Sequence, residues 1–177
     1  VAVTLFKIAN DMRWLGSGPR TGLMELILPA NEPGSSIMPG KVNPSQAEAL
    51  LMVCIQVMSA DVAVQWGGAE GNFELNVFRP LLIHNYLHSA RILGDVADHF
   101  RKFLIEGAQL NEQRIEQNIA HSVMMVTALS PAIGYDRASV IAHYAIEHGL
   151  TLKEAALANG VPEDLYDRVV IPLNMTH

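Results

Sequence analysis

The chain has 177 residues, half of them hydrophobic and 17% charged, with 12 Lys and Arg against 18 Asp and Glu and a net charge of −6. That composition holds enough apolar material for a core and excludes a disordered tail. The acidic balance excludes nucleic-acid binding driven by counterion release, which needs a positive surface. The longest stretch without a charged side chain, residues 117–135, carries Asn118, His121, Ser130, Pro131 and Gly134, so no membrane span is expected. The single Cys54 forbids an internal disulfide and points to a reducing compartment. The cytoplasm is expected, or a mitochondrial matrix if the source is eukaryotic. No basic, then apolar, then small-residue leader opens the chain.

The first residues read as a helix already in progress. Val1, Leu5, Ile8, Met12 and Leu15 recur at spacings of 4, 3, 4 and 3, with neither an initiator Met nor a cap. This predicts that a larger N-terminal part precedes Val1. Residues 16–40 then hold five glycines and four prolines, a density that no helix or central strand tolerates. A loop of that length is usually functional. A long helix is expected from Pro44 to Trp66, with Asn43 as its cap, Pro44 at the first helical position and Gln46 in a capping box. Gly67-Gly68 is read as its stop. Only Glu48 and Asp61 are charged along it, so it must be covered by more helices than this chain has, and partner chains are expected.

A second long helix is predicted from about Pro80 to Glu106, with Ile83, Leu87, Ala90, Leu93, Val96 and Ala97 on one face and Gly107 ending it. Shorter elements follow. A helix begins after Asn111, Ser130-Pro131 breaks the next segment, and Asp136 to His148 forms a helix closed by Gly149. Thr151 and Glu154 form a capping box for a short helix ending at Gly160, and Pro162-Glu163-Asp164 opens a last turn. No strand pattern is convincing. The expected fold class is all-α: a long-helix bundle over residues 1–106, with a flexible loop at 16–43, then a small helical domain over residues 107–177.

The chemistry concentrates at Gly34-Ser35-Ser36-Ile37-Met38-Pro39-Gly40-Lys41-Val42-Asn43-Pro44. This segment gathers backbone N–H groups, two hydroxyls, a lysine and an amide at the positive end of a long helix, which is the makings of a carboxylate or phosphate site. It is not a P-loop: five residues separate Gly34 from Gly40, and Val42 stands where a magnesium-binding hydroxyl belongs. A loop that merely turns the chain is the competing reading of the same composition. His84 and His88 share a helix face, but no Glu follows His84 and no third ligand is evident, so surface or interface histidines are expected. Cys54 reads as a buried small hydrophobe and Met124-Met125 as core filler. Arg13 and Arg20 flank the loop and are read as helix-end salt bridges rather than anion ligands.

The eleven residues Gly34 to Pro44 resemble the signature of the fumarase/aspartase superfamily. Further stretches resemble its class II fumarate hydratases: Lys7 to Arg20, Leu28 to Gly34, Ser45 to Ala49, Glu74 to Val77 and Ile133 to Tyr135. The resemblance covers essentially the whole chain and implies the C-terminal part of a longer enzyme. It implies reversible hydration of fumarate to (S)-malate, a lyase step of the tricarboxylic acid cycle, with no metal or organic cofactor. It also implies a homotetramer whose active sites each draw on three subunits, and a dicarboxylate as substrate. By position, Ser35 is the implied catalytic base, and Ser36, Lys41, Val42 and Asn43 are the implied substrate-binding groups. Glu48 is the implied carboxylate that orients a catalytic histidine lying outside this chain, so the fragment alone is expected to be inactive. Two other readings stay open: an aspartate ammonia-lyase of the same superfamily, and an inactive oligomerisation module.

Overall fold

The computed structural model describes residues 1–176, which form two compact units, residues 1–111 and 112–176. The first unit is built on three helices: α1 (Ala2–Leu15), α2 (Ser45–Ala69) and α3 (Arg79–Phe100), the last continuing as a π-helical turn over Arg101–Ile105. At 1.5 Å per residue α2 is about 37 Å long. Its core joins Ala2 and Ala9 of α1, Ala47, Leu50, Leu51 and Cys54 of α2, Val96 and Phe100 of α3, and Leu104. Burial pushes the Cys54 thiol above its ordinary pKa, in keeping with a small apolar core residue.

The seam of α1 differs from the one its apolar spacing predicts. Val1 and Ile8 are exposed, and the buried residues are Ala2 and Ala9, with Leu5, Phe6 and Met12 packed beside them. Small side chains let α2 approach closely, and the bulkier ones flank the contact.

Both ends of α2 correct the sequence reading. Asn43 does not cap it, because its amide donates to the Gly34 carbonyl at 2.6 Å, and no side chain caps the first turn. Gly67-Gly68 does not stop it either; the helix runs on to Ala69. Gly67 is buried where α3 crosses, and a Cβ there would lie 2.7 Å from Leu82 Cδ2, so this glycine serves packing. The turn out of α2 is organised by Asn76. Its amide donates to the Gly67 and Glu70 carbonyls, both at 2.8 Å, and its Oδ1 accepts from Phe78 N at 2.8 Å, just ahead of α3. One side chain thus closes one helix and opens the next.

The apolar face expected on α3 holds only in its C-terminal half. Val96 is buried and Leu93 packs against the core, whereas Ile83 and Leu87 are more than half exposed. Two strands unseen in the sequence, β1 (Leu26–Ile27) and β2 (Gln109–Leu110), pair antiparallel with Leu26 opposite Leu110. At two residues each they are too short to show alternation. Asn111 extends the tie, donating from its backbone N to the Glu25 carbonyl at 2.9 Å and from its side chain to the Met24 carbonyl at 3.0 Å.

By length and composition α2 could cross a membrane. Packing on α1 and α3 buries only one side of it, at Ala47, Leu50, Leu51 and Cys54, and Glu48 and Asp61 lie along it.

The second unit holds α4 (Glu112–His121), α5 (Val126–Ile133, entered through a 3-10 turn at Val123–Met125), α6 (Tyr135–His148), α7 (Leu152–Ala158) and α8 (Glu163–Val169). Leu129, Ile141, Ala145, Leu152, Ala155, Ala156, Val161 and Tyr166 form its own core. The break expected at Ser130-Pro131 falls instead at Gly134, whose φ of 87° turns the chain. Pro131 sits inside the last turn of α5, where its missing N–H leaves only one carbonyl unpaired. Gly149 closes α6 in the left-handed conformation, and Thr151 with Glu154 forms the expected capping box.

Candidate active site

The loop that carries the sequence motif is ordered by local bonds from its first residue. Ser17 Oγ donates to the Trp14 carbonyl at 2.6 Å and accepts from Leu23 N at 3.2 Å, while Met24 N donates to the Ser17 carbonyl at 2.8 Å. Further along, the Asn31 amide donates to the Phe103 carbonyl at 2.6 Å. The motif itself is drawn into a closed clip. Gly34 N donates to the Lys41 carbonyl at 3.0 Å, and the Asn43 amide returns to the Gly34 carbonyl. A Cβ at Gly34 would sit 2.1 Å from the Lys41 oxygen, and Gly40 has a φ of 81°, so both ends of the clip require glycine.

This clip forms one wall of an open cleft of about 870 Å³. Lys41, Val42 and Asn43 line it from the loop, Glu48 from the first turn of α2, and Arg13 and Trp14 from the end of α1. The Lys41 ammonium is paired with no carboxylate among the described residues. Pro44, which precedes α2, also lines the cleft, and no side chain caps the first turn of α2, so the positive end of a long helix dipole lies beside it. A cationic amine, an amide and uncapped N–H groups at one mouth make a receptor for a carboxylate.

The remaining two motif residues lie differently. Ser35 and Ser36 are on the clip but outside the lining of the cleft. Ser35 is half-buried, with its Oγ accepting from Ile37 N at 3.2 Å, and Ser36 is exposed. The structure therefore brings Lys41, Val42, Asn43 and Glu48 to one cleft and leaves the two hydroxyls outside its lining. It adds a residue that sequence reasoning had treated as structural: Arg13, whose Nη2 lies 3.4 Å from Glu48 Oε1. Nothing in the spacing of Arg13 signals this, because its partner comes from 35 residues away. His84 and His88 stack on α3 with ring centroids 6.0 Å apart. Among the described residues no group of three or more His, Cys, Asp or Glu is arranged to hold a metal ion.

A family model described as "Lyase" matches residues 1–59, and one described as "Fumarase C C-terminus" matches residues 125–177. A class II fumarate hydratase of Methanosarcina acetivorans is 57% identical over 99% of this chain, and one of Chromobacterium violaceum is 56% identical over 99%. The solved class II fumarase of Schistosoma mansoni superposes with a TM-score of 0.92 at 40% identity, over 98% of this chain and 36% of its own. The shared long-helix fold and the matches along its length place the chain in the fumarase/aspartase superfamily. Its counterparts there are class II fumarate hydratases, of which it matches the C-terminal part. The chain spans 36% and 38% of the length of the two curated relatives named above.

Proposed function

We propose that the full-length protein carrying this chain is a class II fumarate hydratase, which reversibly adds water to fumarate to give (S)-malate. The observation that carries the reading is the convergence of Lys41, Asn43 and the uncapped start of α2 on one cleft with Glu48. In the dehydration direction a base removes a proton from the carbon next to a malate carboxylate. Negative charge then builds on that carboxylate, at a high cost unless preorganised donors meet it. Lys41, the Asn43 amide, the Val42 N–H and the α2 dipole are those donors. Ser35 is the base, its alkoxide favoured by the same cationic surroundings, and Ser36 helps hold the substrate. Movement of the whole clip toward the cleft carries both hydroxyls over it and excludes water. Glu48 orients a histidine contributed from outside these residues.

The protein acts as a homotetramer whose sites are shared between subunits, and it works in the cytoplasm, in keeping with its single, unpaired Cys54. The test is Ser35→Ala in the full-length protein, followed by fumarate absorbance. Turnover should fall by about three orders of magnitude or more with assembly intact. Near-normal turnover would remove Ser35 from the mechanism. Supplying aspartate in place of malate separates the hydratase from an ammonia-lyase.

A further inference from the structure

One cation of the cleft has no task in the scheme above. Arg13 stands in the last turn of α1. Its Nη1 lies 3.4 Å from Asn10 Oδ1, one turn back on the same helix, and its Nη2 lies 3.4 Å from Glu48 Oε1 on α2. A guanidinium is planar and always charged, so a partner on one nitrogen fixes the direction in which the other nitrogen presents its hydrogens. Asn10 thus turns the fork toward Glu48. Only Oε1 of Glu48 is engaged; Oε2 makes no hydrogen bond among the described residues. Both side chains are about two-fifths exposed, so the pair is screened and adds little to folding stability.

We propose that Arg13 is a positioning residue that holds the Glu48 carboxylate in the cleft by one oxygen, leaving the other free to orient the catalytic histidine. Arg13 acts through Glu48 and does not grip the substrate. The proposal rests on the fumarate hydratase reading.

The test uses the full-length protein with Arg13→Gln, Arg13→Lys, Glu48→Gln and the Arg13→Gln/Glu48→Gln double variant, with kcat and KM measured on malate and fumarate. Arg13→Gln should lower kcat by about 10- to 100-fold with KM within about 3-fold, and Arg13→Lys should recover part of the loss. The double variant should be no slower than Glu48→Gln alone, because the two residues act as one unit. In Arg13→Gly, added guanidinium ion should restore kcat. A raised KM at unchanged kcat would make Arg13 a substrate ligand and overturn the proposal. So would unchanged kinetics, or losses that multiply in the double variant. Should Arg13→Gln fail to assemble, Arg13→Lys decides alone: wild-type kcat overturns the proposal, and a reduced kcat at wild-type KM and melting temperature supports it. Wild-type protein inactive on both acids would sink the hydratase reading, a result distinct from any behaviour of the Arg13 variants.

Discussion

Gly34 shows how narrowly a single position can be constrained. Its N–H and carbonyl are both engaged in closing the clip, and a methyl group there would collide with the Lys41 carbonyl at 2.1 Å, against backbone rather than a side chain that could swing away. Gly34→Ala in the full-length protein should therefore cut turnover by at least about an order of magnitude, with a smaller effect on the melting temperature. Parallel activity assays and thermal melts would check this, and wild-type turnover would show that the closed clip is dispensable. At this scale the sequence was informative where the chemistry is contiguous: Lys41, Val42 and Asn43 are neighbours, and Glu48 follows within the next helical turn or so. It was uninformative where partners come from far along the chain. Arg13 and Glu48 meet only because α1 packs on α2, and the amide of Asn43 was expected on the helix but binds the loop instead.

Among the elements, α7 has the cap its sequence announces. Thr151 N and Oγ1 donate to Glu154 Oε2 at 2.8 and 2.7 Å, and Glu154 N donates back to Thr151 Oγ1 at 3.3 Å. These hydrogen bonds, the hydroxyl first and the backbone second, hold the Glu154 carboxyl below its ordinary pKa. A carboxyl depressed in the folded state adds stability above its unfolded pKa and loses it as pH falls through the folded value. The melting temperature of the wild-type chain should thus exceed that of Glu154→Gln at neutral pH, and the gap should shrink as pH drops below about 4.3. A gap that stays constant with pH would deny the carboxylate its role. Capping boxes are legible because donor and acceptor lie three residues apart. The end of α2 was not, because whether Gly67 stops a helix or packs within one depends on Leu82 arriving from α3.

For the whole molecule, composition and periodicity were enough to read an all-α fold with long helices, since periodicity depends on each helix alone. An α2 left partly uncovered by its own chain was expected from its apolarity, but which faces stay open could not be read. Met52, Ile55, Val62 and Trp66 of α2, and Ile83, Tyr86 and Leu87 of α3, are all more than half exposed. So much apolar surface on neighbouring helices is the mark of an association face. Under the tetrameric reading, light scattering on the full-length protein should give four chains per particle, and Leu87→Glu should shift it toward smaller species. A stable, well-behaved monomer would contradict the shared-site reading. The consequence reaches inheritance as well as structure. On the proposed reading, a carboxylate at Leu87, a position more than half exposed in a lone chain, would silence the enzyme by keeping its copies apart. Harmful variants of this protein should therefore fall into two geographic groups, one at the clip and one along an outer flank that, seen in isolation, looks like ordinary surface.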